Sequence, residues 1–246
     1  MFRHRGKSRT PRHNFRLAIF LSFVAGLVNV CGVLALGVLT TNITGYFAYF
    51  AEEVTKKADA YGAYFLLYII SFLAGSFVSS FLTEYFLIRE SKAPHSASIF
   101  LEILILLTLG LFGDYFLGCG FDHRLLANFL LFAMGLQNSL VSKISNSTVR
   151  TTHLTGLFTD LGIELSQLFF YKEDGEREKL LRSISLRLAI IAFFFSGCVS
   201  GGYLFLSLKF KMLLIAAFIM IVALAYDTIL LRYYKIKNNI RPNSQL

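Results

Sequence analysis

Long apolar runs follow one another along the chain, separated by short polar stretches of two kinds. The first run, 17–39, is 23 residues long. At ~1.5 Å of rise per residue that is enough to cross a hydrocarbon layer of ~30 Å. Similar runs near 62–88, 98–118, 125–141, 185–208 and 212–234 predict five more spanning helices. The polar stretches between most of these runs are charged loops. Two others are different, because each precedes a short apolar segment that is too short to span comfortably: 44–55 and 155–171.

These two breaks are copies of each other. Gly26-Leu27-Val28-Asn29 leads to Thr41-Asn42-Ile43-Thr44-Gly45, and Gly135-Leu136-Gln137-Asn138 leads to Thr151-Thr152-His153-Leu154-Thr155-Gly156. The repeat continues downstream. Ile69-Ile70-Ser71-Phe72 matches Ile190-Ile191-Ala192-Phe193, and Val78-Ser79-Ser80 matches Val199-Ser200-Gly201. Each half therefore reads as span, break, short helix, span, span. Three spans per half is odd, so the second half must be inverted in the membrane. The expected fold is all-α: a polytopic membrane protein with six transmembrane helices, two short broken or re-entrant helices and two inverted three-span repeats. A basic tail, 1–16, precedes a single membrane domain, 17–234. Repeat one is about 17–118 and repeat two about 125–234, and a second tail, 235–246, closes the chain.

Charge bears on the orientation. With the N-terminus inside and the short helices not crossing, the inner segments carry eighteen Lys and Arg residues and the outer segments five. That bias follows the positive-inside rule and predicts both tails in the cytoplasm. If both short helices crossed, the charges in 52–60 would move inside and the halves would be parallel; the sequence leaves this alternative open. The composition agrees with a membrane protein: 55% hydrophobic, 16% charged, mean hydropathy +0.60. A soluble domain carries about a quarter charged residues. The net charge of +9 is explained by cytoplasmic loops without invoking nucleic acid, for which no binding motif is present. Cys31, Cys119 and Cys198 have no metal or disulfide spacing.

The breaks are the first candidates for chemistry. A helix that starts within a bilayer exposes unpaired N–H groups and a positive dipole end. Asn42, Thr44 and Thr155 are capping residues for such starts. Asn29, Asn42, Thr44, Gly45, Asn138, His153, Thr155 and Gly156 are therefore candidate contacts for a small anionic or hydrogen-bonding solute, at a site where the two helix starts meet. Capping and helix-to-helix glue are the plain structural alternatives. Ionisable groups near spans are the second set. Glu53, Asp160, Glu164 and Asp227 are candidates for ion or proton coupling; Glu102, Asp114 and Asp227 lie near or inside spans, and Arg187 is a partner for one of these three. Gly197 and Gly201 form a GxxxG pair expected to face another helix.

The pattern from His13-Asn14 through Ala25-Gly26 to Thr44-Gly45, with the second Gly-Leu-Gln-Asn and Thr-His-Leu-Thr-Gly stretch, resembles the YoaK-like family of bacterial membrane proteins (domain of unknown function 1275). Ile43, Leu154 and Tyr46 depart from the family pattern. The resemblance implies a multi-spanning inner-membrane protein; it brings no established activity and no catalytic residues. No nucleophile, zinc, P-loop or paired-carboxylate motif appears, so neither an enzyme nor a cofactor is expected. The expected partners are the lipid bilayer and a small solute. The expected function is a permease or channel-like transporter in the bacterial inner membrane; the alternative is a non-transporting scaffold or sensor.

Overall fold

A computed structural model describes residues 11–56, 59–91, 93–171 and 173–240, with side chains at 14–56, 61–91, 93–171, 173 and 175–226. All regular structure among these residues is helical. The order is α1 (Pro11–Leu36), α2 (Ile43–Thr55), α3 (Asp59–Ile88), α4 (Ser96–Gly118), α5 (His123–Ser145), α6 (Leu154–Gln167), α7 (Asp174–Leu208), a 3-10 turn (Lys209–Lys211) and α8 (Met212–Ile240).

The helix ends follow local chemistry. Pro11 opens α1, where its missing N–H is not needed. Gly37, at φ +69°, closes it in the left-handed region. Between α4 and α5, Gly120 takes φ +78°, Phe121 N–H donates to the Phe116 carbonyl at 2.9 Å, and the Asp122 carboxylate accepts from Arg124 N–H at 2.8 Å. One expectation is corrected here. The charged stretch 172–182, read as a loop, is helical from Asp174 onward, with an ion pair between Glu178 and Arg182 one turn apart on an exposed face.

Among the described residues, five stretches are long and apolar enough to cross a membrane: Asn14–Leu36, Tyr61–Ile88, Ser96–Gly118, His123–Ser145 and Gly175–Tyr226. The fifth, 52 residues long, contains the 3-10 turn, where Lys209 takes φ +49° and ψ −132° between α7 and α8. α1 and α5 form the centre of the bundle. Leu17, Leu27, Val28, Leu130, Leu131 and Leu136 are fully buried. On the outer helices large apolar side chains face outward: Leu73 is 65% exposed, Phe77 67% and Leu206 74%. An apolar outer surface of this kind is what lipid covers and water does not.

The order of contacting residues gives the helix directions. Ser71 meets Asn128, Ser76 meets Gly135 and Glu84 meets Lys143, so α3 and α5 run parallel. Gly197 lies on Phe23 and Gly201 on Val30, so α1 and α7 run parallel. Gln137 meets Leu21 and Leu130 meets Gly32, so α1 and α5 are antiparallel. Gly110 lies on Leu214 and Gly113 on Phe210, so α4 and α8 are antiparallel.

Two crossings are made backbone to backbone, and they match. A Cβ on Gly26 would stand 2.2 Å from the Phe194 carbonyl oxygen, and one on Gly197 2.2 Å from that of Phe23. In the other pair, a Cβ on Gly135 would stand 2.2 Å from the Phe72 oxygen, and one on Gly75 2.1 Å from that of Phe132. Gly26 and Phe23 correspond to Gly135 and Phe132; Phe194 and Gly197 correspond to Phe72 and Gly75. These contacts correct the register read from sequence by one residue: Phe72 is the counterpart of Phe194, not of Phe193.

Candidate functional site

Each break folds back onto the helix before it. In the first, Val38 N–H donates to the Gly32 carbonyl at 3.1 Å, and the Thr40 methyl lies where a Cβ on Gly32 would be. Thr40 and Thr41 hydroxyls donate to Asn29 Oδ1 at 3.3 and 3.2 Å. The chain thus returns about one and a half turns down α1 before α2 begins. In the second break, Asn146 and Ser147 take φ +50° and +60°, and Val149 N–H donates to Ser145 Oγ at 3.0 Å. Thr152 then donates to Asn138 Oδ1 at 2.6 Å. Asn29 with Thr41 is the counterpart of Asn138 with Thr152, so the clasp is duplicated along with the sequence.

The caps divide the candidate residues. Asn42 is the N-cap of α2, and its Oδ1 accepts from Gly45 N–H at 3.1 Å. His153 holds the corresponding position before α6, without a side-chain cap bond. Thr44 and Thr155, offered as caps by the sequence, lie inside the first turns. Burial first, and then Arg150, hold the His153 imidazole below the usual histidine range.

α2 pairs antiparallel with α3 through Tyr46 with Tyr68 and Tyr49 with Phe65. It therefore continues in the direction of α1. α6 pairs antiparallel with α7 through Asp160 with Arg187 and Glu164 with Ser183, and continues in the direction of α5. The two N-termini thus point in opposite directions along the bundle, but they do not meet as the sequence led one to expect: α2 packs on α3 and α6 on α7, and Asn42, Thr44, His153, Thr155 and Gly156 are exposed. Asn29 lies opposite a point on α5 about seven residues from Asn138, or ~10 Å along the axis.

A cavity of about 340 Å³ opens beside the first break. Its walls are residues 36–39, Asn42, Tyr46, Tyr49, Phe65 and Tyr68, and the start of α5 at His123 and Arg124. The Arg124 guanidinium stacks 4.1 Å from the Tyr64 ring centroid, and the Tyr46 hydroxyl donates to the Leu39 carbonyl at 2.7 Å. Aromatic walls with an amide and a cation suit a small solute carrying negative charge or hydrogen-bonding groups. Of the predicted contacts, Asn42 alone lines this cavity.

The coupling candidates are mostly paired. Arg187 donates to Asp160 Oδ2 at 2.7 Å and to the two Glu164 oxygens at 2.8 and 3.0 Å, and Ser183 adds a bond to Glu164 at 2.6 Å. Glu53 lies 3.8 Å from Lys56. The Asp227 side chain is outside the described residues. Glu102, noted in the sequence but not ranked with these, is fully buried, and both of its carboxyl oxygens are unpartnered. No group of three His, Cys, Asp or Glu residues that could hold a metal occurs among the described residues.

Comparison with known proteins decides the family. Residues 17–226 match the family model described as "Protein of unknown function (DUF1275)". The chain belongs to that family. It is also 26% identical over 179 residues to the "UPF0700 transmembrane protein YoaK" of Bacillus subtilis (strain 168), covering 72% of this chain and 78% of that protein. No solved structure matches. With the apolar outer surface and the five long apolar stretches, this member of the DUF1275 family is a helical multi-pass membrane protein.

Proposed function

We propose that this protein is a permease or channel-like transporter for a small anionic or hydrogen-bonding solute, built from two inverted three-span halves. The observation that carries this reading is the pair of duplicated breaks. Two helix starts, each clasped by an Asn–Thr bond, run in opposite directions along the bundle. Positive helix ends favour anionic groups, and broken helices of inverted halves form such sites in transporters.

Six spans follow if the 52-residue apolar stretch is divided at Lys209, with α2 and α6 not crossing. The helix directions then support inversion: α1, α4 and α7 run one way, and α3, α5 and α8 the other. The charge bias supports an inner-membrane protein with both tails cytoplasmic. One observation favours a non-transporting scaffold instead: Asn29 and Asn138 already accept bonds from threonines of their own breaks, as packing alone requires.

A thermal-shift screen of small anions and amide-bearing solutes on the purified protein tests the proposal. The expected result is a solute that raises the Tm of the wild type and not that of Asn42→Ala. Equal stabilisation of both by every active solute contradicts a site at the first break.

A further inference from the structure

We propose that Glu102 is a proton-carrying group, reached from the α3–α4 end of the bundle along a buried track of hydroxyls. His95, the N-cap of α4, and Ser98 and Glu102 within it recur at intervals of three and four residues, and they are 2%, 1% and 0% exposed. Ser79 and Thr83, both fully buried, lie one turn apart on α3. The Ser98 hydroxyl donates to the Ser79 carbonyl at 3.2 Å, which fixes the two faces against each other. Because α3 and α4 are antiparallel neighbours, Thr83 then lies toward the start of α4, and Glu102 one turn deeper than Ser98.

Four side-chain oxygens of this strip are buried and have no hydrogen-bond partner: Ser79 Oγ, Thr83 Oγ1 and both oxygens of Glu102. Buried polar groups are almost always paired, so a run of unpaired ones along a single helix contact marks a path for water or protons. An ionised carboxylate without a counter-charge is costly in an apolar bundle, so Glu102 is buried as its neutral acid. Release leaves the carboxylate and passes the proton to water in the track; uptake reverses the step.

The charged groups on the packed elements do not neutralise it. Glu84 of α3 and Lys143 of α5 bond each other at 2.6 Å near the mouth of the track. His123 and Arg124 of α5, Lys209 and Lys211 of the 3-10 turn, and Asp114 of α4 lie toward the other end, and the described side chains of α8 carry no charge. A coupling role for Glu102 rests on the transport reading; its proton exchange does not.

The test is infrared spectroscopy of the full chain in phosphatidylethanolamine and phosphatidylglycerol vesicles. The wild type should show the carbonyl band of a protonated carboxyl that is missing from Glu102→Gln and displaced in Glu102→Asp. In D2O the band should shift, and Thr83→Val or Ser79→Ala should slow the shift several-fold. A wild-type spectrum without a Glu102 band overturns the proposal, as does a band that never shifts. Wild-type exchange rates in both hydroxyl variants overturn the track. If the band and its exchange behave as expected while no solute binds, the transport reading fails and the proton site stands.

Discussion

Arg187 donates to Asp160 across 2.7 Å at the place where the first half sets Phe65 against Tyr49 with ring centroids 5.4 Å apart. The same two positions of the repeat thus close one break with charge and the other with aromatic rings. Glu164, with a side chain 13% exposed, completes the ionic cluster, while its counterpart Glu53 faces Lys56. The halves share a backbone plan but differ in what ties each short helix to its partner.

Removing Arg187 should therefore be costly. Arg187→Met leaves Asp160 and the mostly buried Glu164 without their cation, and about 1–3 kcal/mol of destabilisation is expected after discounting for partial exposure. Adding Glu164→Gln should recover much of that loss. Thermal unfolding in detergent measures both, and strictly additive losses in the double variant would rule out the coupling.

Glycine substitutions should divide sharply. A Cβ at Gly26 or Gly135 meets a carbonyl oxygen at 2.2 Å, so alanine there must push two helices apart. One at Gly162, within α6, meets nothing within 4 Å, and Gly162→Ala should stabilise by about 0.5–1 kcal/mol through helix propensity. Gly201→Leu, facing Val30, Met212 and Leu27, should lose far more stability than Leu206→Ala on the outer surface. Similar melting temperatures for Gly26→Ala and Gly162→Ala would contradict the crossing.

The Asn–Thr clasps should behave as equivalents. Asn138→Ala leaves the Thr152 hydroxyl without its partner, at an expected cost of about 1–3 kcal/mol, and Asn29→Ala should act alike through Thr40 and Thr41. Double-mutant cycles for Asn138 with Thr152 and Asn29 with Thr41 should give coupling of the same sign. Coupling in one clasp only would mean that the duplication is not maintained energetically.

Acid should weaken the second break. The His153 imidazole is held below its ordinary value of 6.5, so the unfolded chain binds a proton more readily than the folded one. Its contribution is complete above that value and is lost as pH falls through it toward the folded value. His153→Gln should flatten this part of the stability profile, to be measured as Tm against pH. An unchanged profile would remove His153 from the account.

Much of this architecture was legible in the sequence, because length and apolarity alone define the runs and because the breaks at Thr41–Gly45 and Thr151–Gly156 carry polar residues that lipid does not tolerate unpaired. Arg187 was expected to pair with Glu102, Asp114 or Asp227 inside the spans; it pairs instead with Asp160 and Glu164, which lie four residues apart on one face of the short helix beside it. What stayed hidden was facing. A spanning helix is apolar toward lipid and toward its neighbours alike, so hydropathy does not reveal that Phe77 faces outward while Leu136 is buried. For the same reason the register of the repeat slipped by one residue, and Glu102 could not be told from an acid that reaches an interface. The helical start of α7 was missed because charged residues look like a loop until their one-turn pairing is seen.

The inversion of the two halves is tested most directly by the sidedness of the two short helices. In a chain with Cys31, Cys119 and Cys198 replaced by alanine, single cysteines are placed at Lys56, after α2, and at Tyr171, after α6. Right-side-out spheroplasts are then treated with a membrane-impermeant maleimide, with and without permeabilisation. In the inverted arrangement Lys56→Cys is labelled from outside, and Tyr171→Cys is labelled only after permeabilisation. Labelling of both positions from the same side would make the halves parallel and contradict the inverted arrangement.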